Sequence, residues 1–77
     1  MNGDRLRVAV LGATGLVGRE MLSVLEQRRF PVAELVPLAS ARSAGSVVPF
    51  SGREHRVRQA TPDAFDGVDL VLASAGA

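Results

Sequence analysis

The sequence predicts an α/β fold, part of a doubly wound parallel sheet, from three observations. Arg7–Leu11 and Val68–Ala73 are short, almost continuous apolar runs, as in strands buried on both faces of a parallel sheet. Between them, Val17, Met21, Leu22, Val24, Leu25 and Arg28 recur at helical spacing, with Arg19, Glu20, Ser23, Glu26 and Gln27 on the polar side. Where the first run gives way to the helical pattern stand Gly12, Gly15 and Gly18.

The elements follow in order. The first strand ends at Gly12 and the helix begins at Leu16; Phe30-Pro31 stops it, because the residue before proline is pushed out of helical geometry. Glu34–Ala39 reads as a second strand. Pro37 inside it lacks a donor, which implies a bulge or an edge. Ser40–Ser46, small and polar, is a loop, and Val47–Phe50 with His55–Arg58 around Ser51-Gly52 predicts a hairpin. Thr61-Pro62-Asp63 starts a brief helix, with Thr61 as cap, and Asp66-Gly67 closes it before the last strand. The order of strand, helix, strand, excursion, short helix and strand is a βαβ unit with an extension, its crossover right-handed.

Composition narrows the function. The 77 residues allow one small domain, and at that size only ~60% of the unfolded surface is buried. The absence of cysteine excludes a disulfide framework, a thiolate metal site and a thiol nucleophile from these residues. Nine arginines oppose eight acidic residues for a net charge of +1, and they are spread along the chain rather than clustered, which argues against nucleic-acid binding. The apolar run after Arg5 and Arg7 is broken by glycines too early for a secretory signal, and no run approaches the ~20 residues of a membrane span. A cytoplasmic protein is expected.

The motif with chemistry is Gly12-Ala13-Thr14-Gly15-Leu16-Val17-Gly18, a Gly-x-x-Gly-x-x-Gly variant of the dinucleotide fingerprint. Gly12 permits a tight exit from the strand, Gly15 lets main-chain amides approach a pyrophosphate, and Gly18 lets the helix pack closely on the sheet. The start of the helix adds unpaired N–H donors and the positive end of its dipole. A partial Rossmann-like, dinucleotide-binding domain is expected. After its second strand such a domain carries an acidic residue when it prefers NAD. Here Ala39-Ser40-Ala41-Arg42-Ser43-Ala44-Gly45 has none, and Arg42 with the Ser40 and Ser43 hydroxyls suits a 2′-phosphate, so NADP(H) is the expected cofactor. Ser74-Ala75-Gly76, at the carboxyl end of a strand, is expected to border it. His55 reads as a surface or structural residue, Asp63 and Asp66 as capping and turn residues, and Asp69 as the start of the last strand. No metal-ligand spacing and no nucleophile–base pair is visible.

These residues resemble bacterial aspartate-semialdehyde dehydrogenase. The likeness runs through Val8–Leu22, Leu38–Gly45, Ala60–Phe65 and Ser74–Gly76, in order and over nearly the whole chain. It implies an NADP-dependent enzyme that reductively dephosphorylates aspartyl 4-phosphate to aspartate 4-semialdehyde, feeding lysine, methionine and threonine synthesis. It further implies that Gly12, Ala13, Thr14, Gly15, Leu16 and Val17 form the diphosphate loop. Ser40, Arg42 and Ser43 would hold the 2′-phosphate, Thr61 would lie on the adenine side, and Ser74, Ala75 and Gly76 beside the cofactor. The family's chemistry uses a cysteine nucleophile and a histidine acid/base; this chain has no cysteine, and His55 stands too early to match that histidine. No catalytic residue is therefore assigned.

The expected protein is the N-terminal part of the NADP-binding domain, with the catalytic and dimerisation domain absent, inactive alone. The full-length family is expected as a homodimer or tetramer. Two alternatives stay open: a stand-alone, non-catalytic NADP-binding module or paralogue, and the N-terminal part of N-acetyl-glutamyl-phosphate reductase. An open sheet edge and an uncovered apolar face are expected to make the isolated chain self-associate.

Overall fold

A computed structural model describes residues 5–73, so Ser74, Ala75 and Gly76 lie outside the described residues. Strand β1 (Leu6–Leu11) leads through the glycine turn into helix α1 (Leu16–Gln27), then β2 (Val32–Ala39). A hairpin of β3 (Val47–Phe50) and β4 (Arg53–Arg56) follows, then the two-residue β5 (Arg58–Gln59), a 3₁₀ turn at Pro62–Phe65 and β6 (Leu70–Ala73). The main sheet has the order β5-β2-β1-β6, and all its pairs are parallel. Val8, Ala9 and Val10 are fully buried at its centre, as their continuous apolarity requires.

The strand alternation splits the core in two. Val8, Val10, Leu35 and Ala39 face α1 and the hairpin, where they meet Leu22, Leu25, Val48, Phe50 and Val57. Ala9, Val36 and Leu38 face the other way, onto Ala64, Phe65 and Val68. With α1 on one face and the 3₁₀ turn on the other, the sheet is wound on both sides.

Several expectations need correction. Helix α1 ends at Gln27, before Phe30-Pro31: the Arg29 amide donates to Glu26 O and the Phe30 amide to Leu25 O, with Arg29 left-handed at φ 52°. That is a Schellman ending, and it stops the helix before the proline can act. The second arm of the hairpin is Arg53–Arg56 rather than His55–Arg58, because Ser51 (φ 54°) and Gly52 (φ 77°) form a two-residue turn that pairs Phe50 with Arg53. Arg58 and Gln59 belong to the main sheet.

Thr61 has the extended conformation of a cap, but its side chain makes no capping bond, and the brief helix is a 3₁₀ turn. The run ending at Ala73 is only half-buried. Among the described residues β6 pairs with β1 alone, leaving Val71 45% exposed.

Of the two alternatives for Pro37, the structure takes the edge. Its register with Val10 is unbroken; the one shift in that pairing falls between Leu6 and Arg7. The Leu38 carbonyl accepts from the β1 side and that of Ala39 from Ala60, so by alternation the nitrogen of Pro37 faces away from β1. There, among the described residues, β2 has no partner until Leu38, where β5 begins.

Candidate dinucleotide site

The glycine turn is built by main-chain bonds. The Gly12 and Ala13 amides both donate to Leu38 O, at 2.8 and 3.1 Å, which pins the turn to the end of β2. The Gly15 amide donates to Gly12 O at 3.0 Å. The turn exits β1 through Gly12 at φ +82°, a left-handed conformation that glycine adopts without the Cβ penalty. Gly18 sits behind it. Its missing Cβ makes room for the Gly12 and Ala13 main chain, so Gly18 packs on the loop itself rather than on the sheet, as the sequence had suggested.

Among the described residues four amides are left without an acceptor: that of Thr14, and those of Leu16, Val17 and Gly18 in the first turn of α1, where no intrahelical acceptor exists. Among the described residues nothing plugs the turn: Leu16 and Val17 are 79% and 51% exposed, and the space where a Gly12 side chain would stand is open within 4 Å.

In front of the turn, at the carboxyl ends of β1, β2 and β5, lies an open cavity of about 470 Å³. Leu11, Gly12, Thr14 and Gly15 form one side, with Ala39, Ser40, Ser43 and Ala60 opposite. Ser40 and Ser43 belong to a tight turn in which Ser40 O accepts from the Ser43 and Ala44 amides. The Gly45 amide donates to Val57 O and the Val57 amide to Ser46 O, which fixes the far end of the same loop.

Of the residues singled out in sequence, Gly12, Thr14, Gly15, Ser40 and Ser43 thus share one cavity. Arg42 is exposed between the two serines, outside the cavity lining, and makes no hydrogen bond or ion pair among the described residues. Thr61 also lies outside the lining, one residue beyond Ala60. Leu11, Ala39 and Ala60 were not anticipated. They carry no polar group, and their only signal was position at strand ends. Among the described residues no charged side chain lines the cavity, so nothing in that wall opposes an anion. The unpaired amides and the open space at Gly12 fit the diphosphate of a dinucleotide.

A parallel sheet whose first helix opens from a glycine turn beside a cavity at the carboxyl rim defines a dinucleotide-binding domain of Rossmann type. The chain belongs to the family described as semialdehyde dehydrogenase, NAD binding domain, whose model matches residues 7–77. It is similar to the aspartate-semialdehyde dehydrogenase of Prochlorococcus marinus, 55% identical over 92% of this chain. It is also similar to that of Bacillus subtilis, 51% identical over 96% of this chain. The chain spans 21% of the length of each of these relatives. Among solved structures, aspartate semialdehyde dehydrogenase II of Vibrio cholerae, complexed with ASA, superposes with a TM-score of 0.87 at 46% identity. That match covers 94% of this chain and 24% of the other. Among the described residues no helix is long and apolar enough to cross a membrane, and no group of side chains could hold a metal ion.

Proposed function

We propose that residues 1–77 are the N-terminal, NADP(H)-binding segment of an aspartate-semialdehyde dehydrogenase, which reductively dephosphorylates aspartyl 4-phosphate to aspartate 4-semialdehyde in the cytoplasm. The observation that carries this reading is the single cavity shared by the glycine turn and the Ser40–Ser43 turn at the carboxyl rim. The amide of Thr14 in its wall, with those of Leu16 and Val17 in the adjoining first turn of α1, receives the diphosphate, while Gly12, Ala13 and Gly15 shape the turn that presents them. Ser40 and Ser43 offer hydroxyls to the 2′-phosphate, and Arg42, with no other partner among the described residues, swings its guanidinium to the same group. Thr61 lies on the adenine side, and Ser74, Ala75 and Gly76 border the cofactor.

When bound, the nicotinamide exchanges the hydride. The residues of this chain bind and orient. With no cysteine they provide no nucleophile for the acyl phosphate, so the segment is inactive alone and works with the remainder of the enzyme, a homodimer or tetramer. Calorimetric titration with NADPH and NADH tests the reading. NADPH binds more tightly and, at ~100 times its dissociation constant, stabilises the fold by ~2.7 kcal/mol. Arg42→Ala removes the preference. Equal affinity for both cofactors before mutation overturns the NADP assignment, and binding of neither overturns the site.

A further inference from the structure

The main chain of Ser43 is held on both sides. Its amide donates to Ser40 O at 3.0 Å, closing a tight turn with Ala41 and Arg42 inside it. Its carbonyl accepts twice from Ser46, from the amide at 3.2 Å and from the hydroxyl at 2.8 Å. A carbonyl can only accept, so the Ser46 hydroxyl donates its one proton here. A bond from a serine hydroxyl to the carbonyl three residues back is a local device of short polar side chains in turns.

Ser46 is in turn anchored to the core. The Val57 amide donates to Ser46 O at 2.8 Å, and the Gly45 amide donates to Val57 O at 2.8 Å. Val57 is 1% exposed and packs in one cluster with Val48 and Phe50. Gly45, at φ +96°, makes the reversal between the two serines, in a conformation that costs glycine no Cβ clash. Ser46 itself is exposed and stands outside the cavity lining, whereas Ser40 and Ser43 belong to it.

We propose that Ser46 is a positioning residue for cofactor specificity: by bonding the Ser43 carbonyl, its hydroxyl holds the Ser43 side chain and the Arg42 main chain where they meet the 2′-phosphate of NADP(H). This rests on the NADP(H) reading given above. Ser46 acts through Ser43 and does not touch the phosphate. It reduces the ordering that the Ser40–Ser43 turn must undergo when the phosphate arrives, and preorganisation of that kind emerges as affinity. NADH lacks the group for which the turn is held, so the gain falls on NADPH.

Calorimetric titration of Ser46→Ala and Ser46→Thr with NADPH and NADH tests the proposal, alongside amide hydrogen exchange without cofactor. The position is exposed and lies outside every strand and helix, so both variants keep the fold. Ser46→Ala weakens NADPH about fivefold, the equivalent of one net hydrogen bond, and leaves NADH within about twofold of the parent. Exchange quickens at Ser43 and Ala44, while the melting temperature stays that of the parent. Ser46→Thr, which keeps the hydroxyl, restores the preference and the exchange rates. A preference for NADPH that survives Ser46→Ala intact overturns this proposal alone, as does equal weakening of both cofactors or a failure of Ser46→Thr to restore the preference. A parent that binds both cofactors equally overturns the NADP(H) reading and this proposal with it.

Discussion

A Cβ added at Gly18 would lie 2.0 Å from the carbonyl oxygen of Gly12 and 2.9 Å from the Cα of Ala13. Both contacts are with main chain, which cannot rotate away. The glycine turn and the helix that follows it are therefore held together by the absence of one methyl group.

Gly18→Ala should force the turn off α1 and cost at least ~2 kcal/mol, in the range of overpacked cores. For a domain of this size that lowers the melting temperature by roughly 10 °C or more, as thermal denaturation would show. A melting temperature within a few degrees of the parent would mean that the turn and helix separate freely.

Ser43→Asp places a carboxylate on a cavity wall that carries no charge among the described residues. It should weaken NADPH far more than NADH, reducing the ratio of their affinities about tenfold, equivalent to ~1.4 kcal/mol. Titration of the variant with each cofactor gives the ratio; an unchanged value would place the 2′-phosphate elsewhere.

Asp69 ties β6 to β1 twice. Its carboxylate accepts from the Arg7 amide at 2.9 Å, and its own amide donates to Arg7 O at 2.8 Å. Asp69→Ala keeps the second bond and loses the first, at an expected cost of ~1 kcal/mol for an exposed bond. Amide hydrogen exchange should then quicken in β6 before β2, whereas uniform quickening would show that β6 does not open separately.

Arg29 holds a left-handed conformation at the end of α1, where glycine is the usual occupant. Arg29→Gly should relieve ~1 kcal/mol of that strain and raise the melting temperature by roughly 4–8 °C. A fall on calorimetry would mean that the arginine side chain contributes more than its backbone costs.

Much of this was legible in the residues. The apolar runs and the glycine spacing placed the central strands, the helix and the turn between them, because burial on both faces and close main-chain contact leave few residue choices. Pro37 signalled either a bulge or an edge, and only the unbroken register with Val10 decides for the edge. What could not be read was where the polar stretch Arg53–Gln59 changes partners. Its residues alternate the same way in hairpin and sheet, and only the buried Val57, bonded through its main chain to Gly45 and Ser46, marks the switch. The end of α1 was misplaced for a related reason. A Schellman ending normally shows itself as glycine, and here it is built on arginine.

In the candidate site, the serines and glycines were found through their chemistry. Ala39 and Ala60 escaped notice because a small apolar wall has no chemical signature. Arg42 reads differently in sequence and in space: its neighbours line the cavity, while its own side chain stands in solvent.

Pro37 also decides how the sheet is guarded on its side. There β2 offers no donor at that position, and among the described residues the sheet beyond it is two residues, Arg58 and Gln59, too short and too polar to recruit a strand. A strand arriving along that border would find a rung missing where its ladder had to begin.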